Sequence, residues 1–204
     1  MKTLLLTILA AASFAFPALA EPVTAQIGQP APDFKAMDTS GKEQTLSQYK
    51  GKTVVLEWTN PECPYVVKHY GSGNMQALQK EALDAGAVWL TIASSAKGKQ
   101  GYMTNNDANA WTTAQKATPT ARIVDDTGAV GNLYAAKTTP HMFVINPEGV
   151  LVYSGAIDSN DSFKPETIAG AKNYVRAALK AIKDGKAVET ASTKPYGCSV
   201  KYAY

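Results

Sequence analysis

Residues Thr53 to Val67 read TVVLEWTNPECPYVV, and this stretch decides the fold. Its first half, Thr53 to Thr59, is β-branched and apolar enough for a strand buried on both faces. Its second half delivers Cys63 to Pro64, and proline suits the first helical position because its missing N–H would be unpaired there anyway. A buried strand running through a short turn into a helix predicts an α/β layer structure.

Working outward, Gly71-Ser72-Gly73 interrupts the first helix, and the spacing of Met75, Leu78 and Leu83 predicts a second over 74–85, stopped by Gly86. Ala87 to Ala93 is the next strand. A helix over 106–116 with an Asn or Asp cap precedes a third strand, Thr120 to Val124. After a helical turn or two toward Tyr134, Thr138-Thr139-Pro140 leads into the hairpin His141–Asn146 and Val150–Ser154, closed by the turn Asn146-Pro147-Glu148-Gly149. Lys164 to Asp184 reads as one terminal helix. Before the decisive stretch, Ile27 to Phe34 is an extended lead-in and Leu46 to Tyr49 a short helix. This order suits one mixed sheet with helices on both faces.

The N-terminus carries Lys2, an apolar run from Leu4 to Phe16 and the small-residue site Ala18-Leu19-Ala20, which together predict a secretory signal over residues 1–20. The run is too short for a membrane span. Residues 21–186 are then expected to form one domain and 187–204 a tail. The 204-residue chain has 20 basic and 17 acidic side chains, a balance too mild to favour nucleic acid or an anionic membrane as partner.

Export would place the two cysteines, Cys63 and Cys198, in an oxidising compartment, where a pair tends to bond. Cys63 sits at a helix N-terminus, whose free N–H groups and dipole favour a thiolate, while the neighbouring Glu62 opposes a second negative charge. Glu57, six residues earlier in the buried strand, is a candidate to pass protons to or from Cys63. It could equally pair with Lys52 or a backbone group, or lie at a wet strand edge. Val66, Val67 and Tyr70 share the helical face of Cys63; His69 falls on another face and is expected to be solvated. His141 is expected to be an ordinary hydrogen-bonded histidine facing the other side of the sheet. Cys198, in the tail, could swing against Cys63 as a resolving thiol. A permanent clasp is the alternative, closing a loop worth about 4 to 5 kcal/mol in the chain-entropy model.

The segments IGQPAPDF, DTSGKEQTLSQYKGKTVVLEW, CPYVV, TTPHMFVINPEGVLVYSGAID and PYGCSVKY resemble the peroxiredoxin-like redoxins of the alkyl hydroperoxide reductase and thiol-specific antioxidant family, within the thioredoxin fold. The resemblance implies an attacking thiol at Cys63, a cis-proline pair at Thr139 and Pro140 beside it, and a buried acid at Glu57. Together with the reading of the residues, this predicts catalysis by Cys63, Cys198 and Glu57, with Thr59, Asn60, Pro64, Thr139 and Pro140 touching substrate. The substrate would be a hydroperoxide or a disulfide, re-reduced by an external thiol, with no cofactor or metal, in a periplasmic setting. Three features depart from the pattern. Val66 stands where a thioredoxin carries its second cysteine; Asn60 stands where a peroxiredoxin carries a threonine or serine; and Arg122 is only a loose match to the peroxide-binding arginine. A different class of function stays open: a non-catalytic binding protein whose cysteines are structural or, with His141 or Met142, hold a soft metal such as copper(I).

Overall fold

A computed structural model describes residues 24–203. The expected signal segment therefore lies outside the described residues. The elements run β1 (Lys35–Met37), β2 (Glu43–Thr45), β3 (Val54–Trp58), α1 (Pro64–Gly71), α2 (Asn74–Asp84), β4 (Val88–Ala93), α3 (Asn105–Ala114) and β5 (Ala121–Val124). They continue through α4 (Ala129–Leu133), β6 (Thr138–Thr139), β7 (His141–Ile145), β8 (Leu151–Gly155), α5 (Tyr174–Lys183) and β9 (Cys198–Ser199).

The central sheet has five strands in the order β5-β4-β3-β7-β8. Strands β3, β4 and β5 run parallel, joined by helical crossovers, and β7 and β8 return antiparallel. This is the mixed, helix-flanked sheet that the order of elements predicted, an α/β thioredoxin-like fold. Outside it, β1 pairs with β2, and β6 pairs with β9 of the tail.

Alternation along the buried strands divides the core. Leu56, Trp58, Leu90, Ile92, Ile123 and Phe143 pack on Phe34, Val130 and Tyr134. Val55, Trp89, Met142, Val144 and Tyr153 face α1, α2 and α5 through Val66, Tyr70, Met75, Leu78 and Val175. Glu57, two residues beyond Val55, shares this second face and lies opposite Thr91 on β4 and Met142 on β7.

Two expected helices are revised. The terminal helix does not run unbroken from Lys164: a 3-10 turn over Pro165–Thr167 ends early, and α5 begins only after Asn173, whose side chain accepts the Arg176 N–H at 2.8 Å. Helix α3 is capped by Thr104 in a reciprocal box with Asp107, not by an Asn or Asp.

Candidate active site

Strand β3 ends at Trp58, and a turn carries the chain to α1. The Asn60 carbonyl accepts the Cys63 N–H at 3.1 Å, and the Asn60 Oδ1 accepts the Glu62 N–H at 2.9 Å. These two bonds bring Cys63 to the N-cap of α1, with Pro64 at the first helical position. Asn60 is thus a turn-forming residue, packed so closely on Gly101 that a Cβ there would fall 2.3 Å from its Cγ. Its buried Nδ2, like the buried Oγ1 of Thr59, has no hydrogen-bond partner.

Cys63 is fully buried, and both cysteines are free thiols. The Thr139–Pro140 peptide is cis, as expected, and the Cys63 thiol donates to the Thr139 carbonyl at 3.0 Å. The tail completes the enclosure. Thr139 stands opposite Cys198 in the β6–β9 pair, and the Cys198 thiol lies within hydrogen-bonding reach of the Cys63 sulphur. Burial pushes the Cys63 thiol up, but donors overcome it: the Cys198 thiol and backbone N–H, the Thr139 hydroxyl and the Val66 N–H hold its pKa below the ordinary value. Cys198 moves the other way, pushed up to about 12 by burial, by its hydrogen bond to Cys63 and by the charge there. Of the two sulphurs, Cys63 is the one eased toward ionisation and Cys198 the one held to its proton.

Glu57 is wholly buried and engaged by side chains, so pairing with Lys52, backbone bonding and a wet strand edge are all excluded. It accepts from Tyr70 Oη at 2.7 Å, Trp89 Nε1 at 2.8 Å, Thr91 Oγ1 at 3.2 Å and Gln79 Nε2 at 3.3 Å. Burial holds its pKa above the usual carboxylate value, although these donors and the Arg122 charge oppose the shift. Its hydrogen bonds run to these four side chains and not to a thiol. Arg122 lies on the same face of the sheet, with its guanidinium over the Trp111 ring at 4.6 Å and bonded to Thr112 at 3.2 Å.

Several placements correct the sequence reading. Val67 does not share the buried face of Cys63; it is 54% exposed. His69 is not solvated but fully buried, bonded through Nδ1 to Asn74 at 2.8 Å and through Nε2 to Tyr196 at 3.2 Å. Pro64 is exposed at the start of α1. His141 does face the other side of the sheet, ring to ring with Phe143 at 4.4 Å, and its Nδ1 accepts the Lys137 N–H at 3.2 Å. Met142, its neighbour, points the opposite way, so the two do not converge on Cys63. Among the described residues no group of three or more His, Cys, Asp or Glu is arranged to hold a metal ion.

A family model described as AhpC/TSA matches residues 27–154, well over half of the chain. The protein belongs to the AhpC/TSA family. This AhpC/TSA member is 29% identical over 132 residues to the thiol-disulfide oxidoreductase ResA of Bacillus subtilis (strain 168), a match covering 61% of this chain and 64% of that protein. Among solved structures, a hypothetical protein from Sinorhizobium meliloti 1021 is 26% identical, with a TM-score of 0.73 over 88% of this chain and 96% of that one. The exposed lipoprotein thioredoxin of Streptococcus pneumoniae, 24% identical with a TM-score of 0.53 over 75% and 99% of the two chains, shares the fold. The family match ends at residue 154, before the tail that carries Cys198.

Proposed function

We propose that this chain is an exported thiol oxidoreductase in which Cys63 attacks and Cys198 resolves. Residues 1–20 direct export, 21–186 form the redoxin domain, and 187–204 deliver the second thiol; a bacterial relative of the same fold is itself named an exposed lipoprotein. The observation that carries the reading is geometric: Cys63 stands at the N-cap of α1 beside the cis Thr139–Pro140 peptide, and the β6–β9 pair sets Cys198 opposite Thr139, with the Cys63 pKa lowered and that of Cys198 raised.

With a disulfide substrate, the Cys63 thiolate bonds to one sulphur and expels the other as a thiolate. Cys198 then loses its proton and attacks Cys63, forming the Cys63–Cys198 bond and releasing the substrate's remaining half as a thiolate. Burial still raises the Cys198 pKa at that stage, but two further causes of the rise disappear. Once Cys63 is bonded to substrate, its charge and the hydrogen bond that held the Cys198 proton are gone, while Lys201 still favours the thiolate. With a hydroperoxide, Cys63 takes the terminal oxygen to become a sulfenic acid as the O–O bond breaks and an alcohol leaves. Cys198 then expels that oxygen as water. In both cases an external thiol restores the reduced pair. Thr59, Asn60, Pro64, Thr139 and Pro140 border the thiol and contact substrate, and Glu57 supplies a buried proton-holding group behind α1.

Cys198→Ser reports the substrate directly. Treated with oxidised glutathione it should accumulate a mixed disulfide on Cys63, and treated with hydrogen peroxide a sulfenic acid captured by dimedone, both read by peptide mass spectrometry. The proportion of the two products ranks disulfide against peroxide. Unmodified Cys63 after both treatments would end the proposal, and a wild-type Cys63–Cys198 bond that resists millimolar dithiothreitol would mark a structural clasp.

A further inference from the structure

A buried polar cluster that the chemistry above does not use lies beside the thiol pair. Lys68 and His69 of α1 and Asp158, just after β8, have side chains no more than 2% exposed. The Asp158 Oδ2 lies 3.8 Å from both Lys68 Nζ and His69 Nε2 without a hydrogen bond of its own. Lys68 Nζ donates to the Asn160 carbonyl at 3.1 Å. Into this cluster the tail inserts the Tyr196 hydroxyl, which donates to Asp158 Oδ1 at 2.5 Å and meets His69 Nε2 at 3.2 Å.

Donor and acceptor roles fix the direction of the chain. The Asn74 amide N–H can only donate to His69 Nδ1, so the imidazole proton sits on Nε2 and points at the Tyr196 oxygen, and the Tyr196 proton points at Asp158. Burial pushes the His69 pKa down to about 4, which keeps the ring neutral and this tautomer in place near neutral pH. The Tyr196 ring packs on Tyr65 at 5.7 Å between centroids, with Lys68 Nζ 5.7 Å from its centre.

The next two residues join the cluster to the thiols. Gly197, at φ +125°, lies so close to β6 that a Cβ would fall 2.0 Å from the Thr139 carbonyl oxygen, so only glycine lets the tail rest there. Cys198 follows immediately, against Cys63. We propose that Tyr196 is a positioning residue, its hydroxyl received by the Lys68–His69–Asp158 cluster, and that this contact holds Cys198 on Cys63. The proposal rests on the reading of Cys198 as resolver and adds what keeps the resolver in place. It also assigns a purpose to three buried polar side chains whose burial is otherwise costly.

Cys63 is fully buried with Cys198 of the tail packed against its cluster, so its alkylation rate in the reduced full-length protein follows tail docking even when the tail is mostly down. Tyr196→Phe keeps the ring and removes the hydroxyl; iodoacetamide labelling of Cys63, read by peptide mass spectrometry, should accelerate about tenfold, the size expected for losing a hydrogen bond to a charged group. Gly197→Ala should accelerate it further, and both variants should resolve a glutathione adduct on Cys63 more slowly. Asp33→Ala removes the carboxylate that accepts the Phe34 and Ser47 N–H groups near the start of β3, at the other end of the sheet from Cys63; it loosens the fold there and should leave the labelling rate within twofold of wild type. A Tyr196→Phe rate within twofold of wild type overturns the proposal, whatever Gly197→Ala does. If Tyr196→Phe accelerates labelling but diamide forms no Cys63–Cys198 disulfide in the wild type, the positioning stands and the resolver reading fails.

Discussion

At the scale of single residues, Glu57 makes the least obvious bargain in the molecule. A carboxyl group in the middle of a buried strand is tolerable only because four donors converge on it. Glu57→Gln would turn an amide nitrogen toward groups that are mostly donors, costing about 1–3 kcal/mol in unfolding free energy. The pH dependence has a definite sign. The folded-state pKa lies above the unfolded value of about 4.5, so stability associated with the neutral acid is present below that pH and lost as pH rises through the folded pKa. The glutamine variant lacks this loss. Urea unfolding at pH 4.5 and at pH 8 should therefore show the gap between wild type and variant narrowing at the higher pH; a widening gap would mean that the site stabilises the anion. Glu57 and Cys63 were legible because each breaks a local pattern, a charge inside an apolar strand and a cysteine before a helix-starting proline. His69 was not. Helical spacing from Cys63 says which face it occupies, but not that a tail more than a hundred residues later covers that face.

At the scale of elements, the strands β3, β4 and β7 were readable because burial on both faces leaves nearly continuous apolar runs. Pairing between β6 and β9 was not, since two-residue strands carry no periodicity and their partners meet only through the tertiary fold. The terminal helix shows a further limit. Apolar spacing sustains α5 through Val175 and Ala178, but the stretch before it holds Pro165, Gly170 and the cap Asn173, and backbone chemistry there overrides the expectation of one long helix. Helix α3 is short of buried anchors, with Ala108 its one fully buried residue, so its cap matters more than usual. The Thr104 hydroxyl accepts the Asp107 N–H at 3.2 Å while the Asp107 carboxylate accepts the Thr104 N–H at 3.1 Å. Thr104→Ala should lower the unfolding free energy by about 0.5–2 kcal/mol in denaturant titration. No change would show that α3 is held by its neighbours alone.

At the scale of the whole molecule, both described histidines are buried as neutral rings, and this sets how the fold responds to acid. Burial pushes His69 down to about 4, although Asp158 opposes the shift, and it pushes His141 down to about 3, with Lys137 adding to the effect. A depressed histidine leaves stability intact above the unfolded value of about 6.5 and removes it as pH falls toward the folded pKa, because only the unfolded chain takes up the proton. Glu57 and Asp125, whose pKa values burial raises, gain stability as pH falls and offset part of this loss, which the two histidines outweigh. The thermal midpoint should therefore fall steadily from pH 6.5 to 4.5, before ordinary carboxylates begin to titrate. His141→Asn separates the two contributions: the asparagine Oδ1 takes the place of Nδ1 as acceptor for the Lys137 N–H, and the titrating group is gone. In that variant the fall in midpoint over the same pH interval should shrink by half or more, the remainder belonging to His69. An undiminished fall would show that His141 is protonated within the folded protein without cost, against its burial beside Phe143.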